Sequence, residues 1–131
     1  PGEVPHTDMT SVYDPDLRAI LIRAAELEGQ EVTNTATYVC TDGPRFETPA
    51  EIRMFTQLGA HVVGMTGYPE VALAREAGIR YASIAVVSNF AAGTTDEVVE
   101  ESEIWQALET TKEPVFRILR RASQLRTSGE C

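Results

Sequence analysis

The sequence predicts an α/β fold built on a largely parallel sheet. Segments with apolar residues at helical spacing alternate along the chain with short, apolar, β-rich runs, and Gly and Pro residues separate them. The 131 residues are 43% hydrophobic and 24% charged, which is normal for one soluble globular domain. We therefore interpret residues 1–131 as a single domain, since they contain no repeat, linker or low-complexity segment.

The first helix is predicted to follow an opening loop at residues 1–13. Asp14 suits the N-cap and Pro15 the first helical position, and Gly29 ends the apolar period. The run TNTATYVCT at residues 33–41 is rich in β-branched and aromatic residues, which predicts the first strand.

A second helix is predicted after a turn that Gly and Pro residues bend. Thr48 suits the N-cap, Pro49 the first position, and Glu51 is placed to bond back to the cap's amide. The apolar period then runs to Leu58, and Gly59 is the predicted C-cap.

The rest of the chain is predicted to hold two buried strands and further helices. Residues 97–126 have a helical composition that Pro114 interrupts, so we expect two helices, or one kinked helix, meeting near Lys112. Thr94 and Glu97 form a candidate capping box for this segment. The other predicted elements are a strand at 60–66, a helix at 69–77 that Gly78 ends, and a strand at 80–88.

The net charge of −9 and the pI of about 4.6 argue against nucleic acid or an anionic membrane as the main partner. A small anionic ligand remains compatible with this charge, because a few backbone amides bind one locally. Cys40 and Cys131 have neither metal nor redox spacing, so we predict two reduced thiols, no metal and a cytoplasmic protein. No apolar run reaches transmembrane length, no leader is recognisable, and the missing Met suggests a processed or truncated chain.

Three predicted strands are followed by polar or aromatic residues that their turns do not require. In α/β sheets the carboxyl ends of strands are where ligands bind. An aromatic face with a carboxylate and an amide suits a flat heterocycle, and a strand-end hydroxyl beside backbone amides suits a phosphate. The residues are Phe46 and Glu47 after the first strand, Met65 and Thr66 at the second, and Ser88 and Asn89 at the third. We expect these strand ends to converge on one crevice.

Two long stretches make the function more specific. TYVCTDGPRFETPAEIRMFTQLGAHVVGMTGYPEVALAREAG, followed by YASIAVVSNFAAG, resembles the trimeric purine nucleoside phosphorylase and methylthioadenosine phosphorylase family. The resemblance runs from about His6 into the last helical segment and matches only the second half of the family's pattern. It implies a three-layer fold with a mixed sheet, and phosphorolysis of a nucleoside with inorganic phosphate as co-substrate and no organic cofactor. It also implies a homotrimer or a dimer of trimers.

The resemblance assigns base recognition to two residues. In the family, the residue at the position of Asn89 hydrogen-bonds N7 and the six-substituent of the purine, which would make Asn89 the catalytic residue. An Asn amide donates to a six-oxo group, whereas Asp suits a six-amino group. An ionised Glu47 would accept from N1–H, which a six-oxopurine has and adenine lacks. Both residues therefore indicate six-oxopurine nucleosides.

The resemblance also implies roles for five other residues. Phe46 would pack on the base, Met65 would contact the ribose, and Tyr38 would lie near the sugar. Thr66 would bind phosphate through its hydroxyl. His6 would close the nucleoside site of a neighbouring subunit, so that trimerisation would be part of the active site.

Purely structural roles for the same residues remain as alternatives. Glu47 is also suited to a solvated turn that favours the helix dipole, and Asn89 to a turn. Thr66 would then be a strand-end hydroxyl, Met65 a core residue and His6 an exposed loop residue. Two other residues are predicted to be structural only: Arg45 fixes its turn by pairing with a carboxylate or a carbonyl, and His61 lies on the surface. The acidic run DEVVEESE is predicted to be a solvated face.

The chain departs from the family in two ways. The family's glycine-rich phosphate loop and the Arg and His that clamp phosphate do not occur here, so we expect these residues to be inactive alone and to act within a longer parent chain. No His follows His61, so an apolar residue such as Ile104 is expected in the 5′ pocket. The expected substrates are therefore inosine, guanosine or 5′-methylthioinosine. The alternatives are a methylthioadenosine phosphorylase, a non-catalytic purine-binding fragment, or a generic α/β domain.

Overall fold

The computed structural model describes residues 6–128, with the side chain of Ser128 excepted. Within these residues, four helices and two strands follow one another in the order α1, β1, α2, β2, α3, α4. The helices are α1 (Pro15–Leu27), α2 (Pro49–Gln57), α3 (Glu70–Glu76) and α4 (Glu101–Ser128); the strands are β1 (Tyr38–Cys40) and β2 (Val62–Gly64).

The local signals at the ends of α1 and α2 act as predicted. Asp14 caps α1 by accepting from the backbone N–H of Leu17. Thr48 and Glu51 form a complete capping box at the start of α2. Gly29 follows α1 with a φ of 66°, a conformation that glycine adopts without steric cost. Short-range hydrogen bonding thus sets these boundaries.

The sheet consists of β1 and β2, which pair in parallel. Tyr38 lies opposite Val62, and Cys40 lies opposite Gly64. Both strands are shorter than the predicted 33–41 and 60–66. Their carboxyl ends nevertheless lie side by side, as a parallel pair requires.

The predicted strand at 80–88 is not a strand within the described residues. Its side chains alternate between half-buried and exposed, as in a strand: Ile84 packs on the core while Val87 is 70% exposed. No described segment forms a ladder with it. Among the described residues it accepts one backbone hydrogen bond from Asp14 N, at the cap of α1, to Tyr81 O at 2.8 Å. The prediction was therefore wrong at this point, because a strand needs a hydrogen-bonded neighbour as well as a period of two.

Helix α4 takes one of the two predicted forms. It is a single helix that runs continuously through Pro114, and not two helices that meet near Lys112. Proline removes one backbone donor and costs stability inside a helix. Helix α4 also packs along α1 through Ile118, Ala122 and Leu125, and such packing supplies most of the stability of helices in proteins. The expected capping box does not form, because α4 begins only at Glu101. The Thr94 hydroxyl instead donates to the carbonyl of Ala91, at 2.5 Å.

The buried core lies between α1 and α4. Its members are mostly small or branched aliphatic side chains, and alanines on both helices allow a close approach: Ala24, Ala25, Ile118, Ala122 and Leu125, with Ile20, Leu21, Val32 and Ile84 packed against them. Glu28, after the last turn of α1, lies 2.9 Å from Arg121 Nε and 3.7 Å from Arg117 Nε. Many large apolar side chains elsewhere are exposed, among them Leu58 at 76% and Trp105 at 61%.

Candidate functional site

The turn between β1 and α2 is held by Arg45. Its guanidinium forms two bonds to the Glu51 carboxylate, at 2.9 and 2.8 Å, and donates to the carbonyl of Phe46 at 3.0 Å. Glu51 also accepts from Thr48 N at 2.7 Å. The predicted structural role of Arg45 is thus confirmed, since it joins the turn backbone to the first turn of α2.

The same contacts set the charge of Glu51. Hydrogen bonds from Arg45, and then from the backbone N–H of Thr48, lower the pKa of Glu51 from 4.5 to about 2. The carboxylate therefore stays ionised well below neutral pH and remains a partner for the guanidinium.

Glu47 is half-buried at the corner of the turn. Its Oε1 accepts from the hydroxyl of Thr41 at 2.7 Å. Thr41 is itself fixed to the sheet, because its N–H donates to the carbonyl of Gly64 at 2.9 Å. A hydrogen bond to the strand end therefore holds Glu47, which the solvated-turn reading does not predict. Phe46, next to it, is 39% exposed.

Met65 and Tyr38 pack around the end of β2. A Cβ atom on Gly43, whose φ is +65°, would lie 2.6 Å from Met65 Sδ, so the thioether fills the space beside the turn. The Tyr38 hydroxyl accepts from Thr66 N at 3.4 Å, and its ring packs on Gly67. Thr66 is exposed, and its hydroxyl has no hydrogen-bond partner among residues 6–128.

Asn89 directly follows the extended segment 80–88. Its Oδ1 accepts from the Ser88 hydroxyl at 2.5 Å, and its Nδ2 donates to the carbonyl of Phe90 at 2.9 Å. These two bonds fix which side of the amide is the donor. The second Nδ2–H has no partner in the described part of the chain.

Asn89 borders an open cleft of about 320 Å³. The cleft is lined by Val87, Ser88, Asn89, Phe90, Thr95, Glu97, Val98, Val99 and Glu103. Part of the acidic run thus borders a cleft, although most of its residues are exposed as predicted. Ile104 is not among the lining residues.

One close contact connects the two regions. A Cβ atom on Gly93 would lie 2.6 Å from Pro49 Cβ, so the loop after Asn89 packs on the first residue of α2. Glu47 and Thr66 do not line the cleft beside Asn89 in the described structure. The structure therefore brings β1 and β2 together and sets the Asn89 loop against α2, while convergence of all three strand ends on one crevice stays a prediction.

The histidines and cysteines have simpler environments. His6 is exposed, two residues before Asp8, whose carbonyl accepts from Arg75 Nε of α3 at 3.2 Å. His61 is exposed as predicted, and its Nδ1 accepts from Thr37 N at 3.0 Å. Cys40 is a free, half-buried thiol in β1, and Cys131 lies outside the described residues. Within residues 6–128 no group of His, Cys, Asp and Glu is arranged to hold a metal, and no helix is long and apolar enough to cross a bilayer.

Thr41 is the residue that sequence reasoning missed at this site. Its only local signal is a hydroxyl at the last position of the predicted strand 33–41. Glu47 lies six positions later in the chain, so only the fold of the turn brings the two side chains together.

Comparison with known proteins decides the family. The profile of the Phosphorylase superfamily matches residues 1–123. The chain belongs to this superfamily. This match, together with the relatives and solved structures that follow, confirms the resemblance to nucleoside phosphorylases and the α/β fold class.

The relatives are named as nucleoside phosphorylases. A probable S-methyl-5′-thioinosine phosphorylase from Methanopyrus kandleri is 46% identical over 119 residues, covering 91% of this chain and 46% of that protein. The 6-oxopurine nucleoside phosphorylase from Pyrococcus furiosus is 44% identical over 116 residues, covering 88% of this chain and 44% of that protein. The chain thus spans less than half the length of these relatives.

Solved structures show the same fold. The methylthioadenosine phosphorylase from Schistosoma mansoni in complex with adenine superimposes with a TM-score of 0.89 at 31% identity, covering 95% of this chain and 49% of that one. This chain therefore has the fold of roughly half of that phosphorylase.

Proposed function

We propose that this chain forms the purine-binding part of a longer nucleoside phosphorylase, called the parent protein below. The parent protein cleaves the N-glycosidic bond of six-oxopurine nucleosides with inorganic phosphate and releases the free base and ribose-1-phosphate. Inosine, guanosine and 5′-methylthioinosine are the proposed substrates. The observation that carries this proposal is the Glu47 carboxylate, held at the corner after β1 with one oxygen bonded to Thr41.

Glu47 supplies the selectivity for the base. A carboxylate only accepts hydrogen bonds, and N1 of a six-oxopurine carries a hydrogen to donate. N1 of adenine has a lone pair instead, so adenine would give no hydrogen bond to the carboxylate oxygen that Thr41 does not occupy. Rejection of a substrate that leaves a site's polar group unpaired is a strong form of discrimination.

Asn89 supplies the stabilisation of the leaving group. As the glycosidic bond breaks, the sugar becomes cationic and negative charge flows into the purine, so a donor at N7 binds the transition state more tightly than the substrate. The Nδ2 of Asn89 has one hydrogen left after its bond to Phe90. The Ser88 hydroxyl on Oδ1 keeps that donor from rotating away.

The residues around β2 would position the rest of the substrate. Thr66 offers an exposed hydroxyl for phosphate, and Phe46 offers a partly exposed ring for the base. Met65 lies beside Gly43 in the turn after β1, and Tyr38 lies beside Thr66 and Gly67 after β2; both would contact the ribose. No metal or organic cofactor takes part in this scheme.

Methylthioadenosine phosphorolysis is the second candidate. The structural relative from Schistosoma mansoni is a methylthioadenosine phosphorylase with adenine bound, which favours it. Glu47 and Asn89 argue against it. Adenine N1 has no hydrogen for the Glu47 carboxylate to accept, and the Asn89 Oδ1, the acceptor that a six-amino group needs, already takes the Ser88 hydroxyl. The relatives from Methanopyrus and Pyrococcus, with names that specify thioinosine and six-oxopurine, also favour the first candidate.

The 131 residues alone are proposed to be inactive. Thr66 is the one phosphate ligand that the resemblance assigns to them, and a single hydroxyl does not orient a dianion for in-line attack. Isolated, the chain would be a non-catalytic purine-binding fragment. The parent protein is proposed to form a homotrimer or a dimer of trimers, with the exposed His6 reaching a neighbouring subunit's site; light scattering would measure that state.

A substrate panel tests the proposal. The parent protein is assayed for phosphorolysis of inosine, guanosine, 5′-methylthioinosine and methylthioadenosine, beside the 131-residue chain. We expect the highest kcat/KM on one of the six-oxo substrates and no turnover by the short chain. Highest activity on methylthioadenosine would refute the assignment of Glu47 and Asn89.

A further inference from the structure

We infer that Thr41 is a positioning residue that sets the purine selectivity of Glu47, an inference that rests on the proposed function. The hydroxyl of Thr41 and Oε1 of Glu47 are 2.7 Å apart, and both side chains are half-buried. Thr41 makes no proposed contact with the substrate, so it acts through Glu47.

The backbone of Thr41 is what makes it a suitable anchor. Its N–H donates to the carbonyl of Gly64 at 2.9 Å, which continues the pairing of β1 with β2 by one residue. Its β-branched side chain has few rotamers, so a fixed backbone also fixes the hydroxyl. The position of the Glu47 carboxylate is thereby tied to the sheet and not only to the turn.

This bond gives the two carboxylate oxygens of Glu47 different roles. Oε1 takes the Thr41 hydroxyl, and Oε2 has no hydrogen-bond partner among the described residues. A glutamate side chain that is ordered in advance loses less conformational freedom when a ligand binds. Oε2 is then a single, oriented acceptor for a donor such as N1–H, while a purine with a lone pair at N1 gains nothing from the ordering.

The arrangement on the other side of the turn serves a different purpose. Arg45 bonds to the Phe46 carbonyl and to Glu51, but no hydrogen bond joins it to the Glu47 carboxylate within residues 6–128. Arg45 therefore fixes the backbone of the turn, and Thr41 orients the side chain that the turn presents.

The test compares three variants of the parent protein. Thr41→Val keeps the shape and the β-branch and removes the hydroxyl, whereas Thr41→Ser keeps the hydroxyl. Thr37→Val is the matched control, because Thr37 lies four residues earlier, before β1, is exposed, and uses only backbone atoms in its bonds. Values of kcat and KM are measured for inosine and adenosine, and thermal unfolding of each variant is recorded.

We expect Thr41→Val to lower kcat/KM for inosine about tenfold, mainly through KM, with little change for adenosine; this is the lower range for losing a hydrogen bond to a charged group. Thr41→Ser should return inosine activity to within about twofold of wild type, and Thr37→Val should leave it unchanged. A loss shared equally by inosine and adenosine would identify a merely structural role and overturn the inference.

A double-mutant cycle with Glu47→Gln completes the test. If Thr41 acts through Glu47, Thr41→Val should change inosine kcat/KM by less than about twofold in the Glu47→Gln background. An undiminished tenfold loss there would contradict the inference. The two proposals fail differently: a wild-type protein that cleaves no six-oxopurine nucleoside refutes the proposed function, whereas an active wild type with a fully active Thr41→Val variant refutes only the role of Thr41.

Discussion

The turn after β1 and the loop that carries Asn89 present two proposed base-recognition groups with very different support. The turn is bonded to the sheet through Thr41 and to α2 through Arg45. The side-chain bonds of Asn89 go only to the residues on either side of it, Ser88 and Phe90. The extended segment before it has no ladder in the described structure.

This difference shows how precision at a site depends on where its residues are anchored. A side chain tied to a paired strand keeps its orientation when the turn moves. A side chain that is hydrogen-bonded only to adjacent residues in the sequence moves with its loop. The position of Asn89 therefore depends on the residues that pack against that loop. In this structure the loop packs on Pro49 through Gly93.

The largest expected effect is at Asn89. Asn89→Asp in the parent protein should lower kcat on inosine by about 10²–10³-fold, the usual cost of losing one donor to a developing negative charge, and shift preference toward six-amino nucleosides. Steady-state kinetics on inosine and adenosine measure both changes. Asn34→Asp is the control, because Asn34 is exposed and bonded only through its carbonyl. Unchanged inosine turnover would show that Asn89 is not the N7 contact.

Glu47 should give the next effect. Glu47→Gln removes the charge but keeps an oxygen acceptor, so we expect kcat/KM for inosine to fall about 10- to 100-fold, as for a hydrogen bond to a charged group. Discrimination against adenosine should weaken at the same time. Glu31→Gln, at an exposed position, should leave both substrates unaffected. If the inosine-to-adenosine ratio did not change, Glu47 would not recognise the base.

The effect of the contact between Gly93 and Pro49 on stability can be measured separately from the strain of a positive φ. Gly93 and Gly59 both have positive φ, 74° and 85°, but only at Gly93 would a Cβ atom clash, with Pro49. Gly59→Ala should cost about 1 kcal/mol of unfolding free energy, and Gly93→Ala about 1 to 3 kcal/mol more. Urea unfolding of both variants measures the difference. Equal destabilisation would mean that the packing of Gly93 on Pro49 contributes nothing.

The smallest expected effect concerns pH. The pKa of Glu51 is about 2 in the folded protein against 4.5 as its ordinary value. A carboxyl with a lowered folded pKa stabilises the fold above pH 4.5, and this contribution is lost as pH falls toward 2. The difference in unfolding free energy between wild type and Glu51→Gln should therefore shrink over that window, and high salt should reduce it above pH 4.5, where the carboxylate is fully ionised. Parallel curves would contradict the pairing with Arg45.

The helix boundaries show which features of the fold short-range interactions determine. Asp14 and the Thr48–Glu51 pair were predictable as caps because a cap involves residues within three positions of each other. The segment at 80–88 was not predictable as unpaired, because periodicity reports which faces are apolar and says nothing about which strand lies alongside.

The candidate site shows the same distinction between local and long-range information. The residues proposed to recognise a base, Phe46, Glu47 and Asn89, could be picked out from the amino-acid sequence, because hydrogen-bonding chemistry belongs to the side chain itself. Their anchoring was not: the bond from Thr41 to Glu47 exists only because β1 ends beside β2 and the turn folds back over it. The sequence thus specifies which groups are offered to a ligand, while long-range packing specifies how firmly each is held, since orientation depends on partners that are distant along the chain.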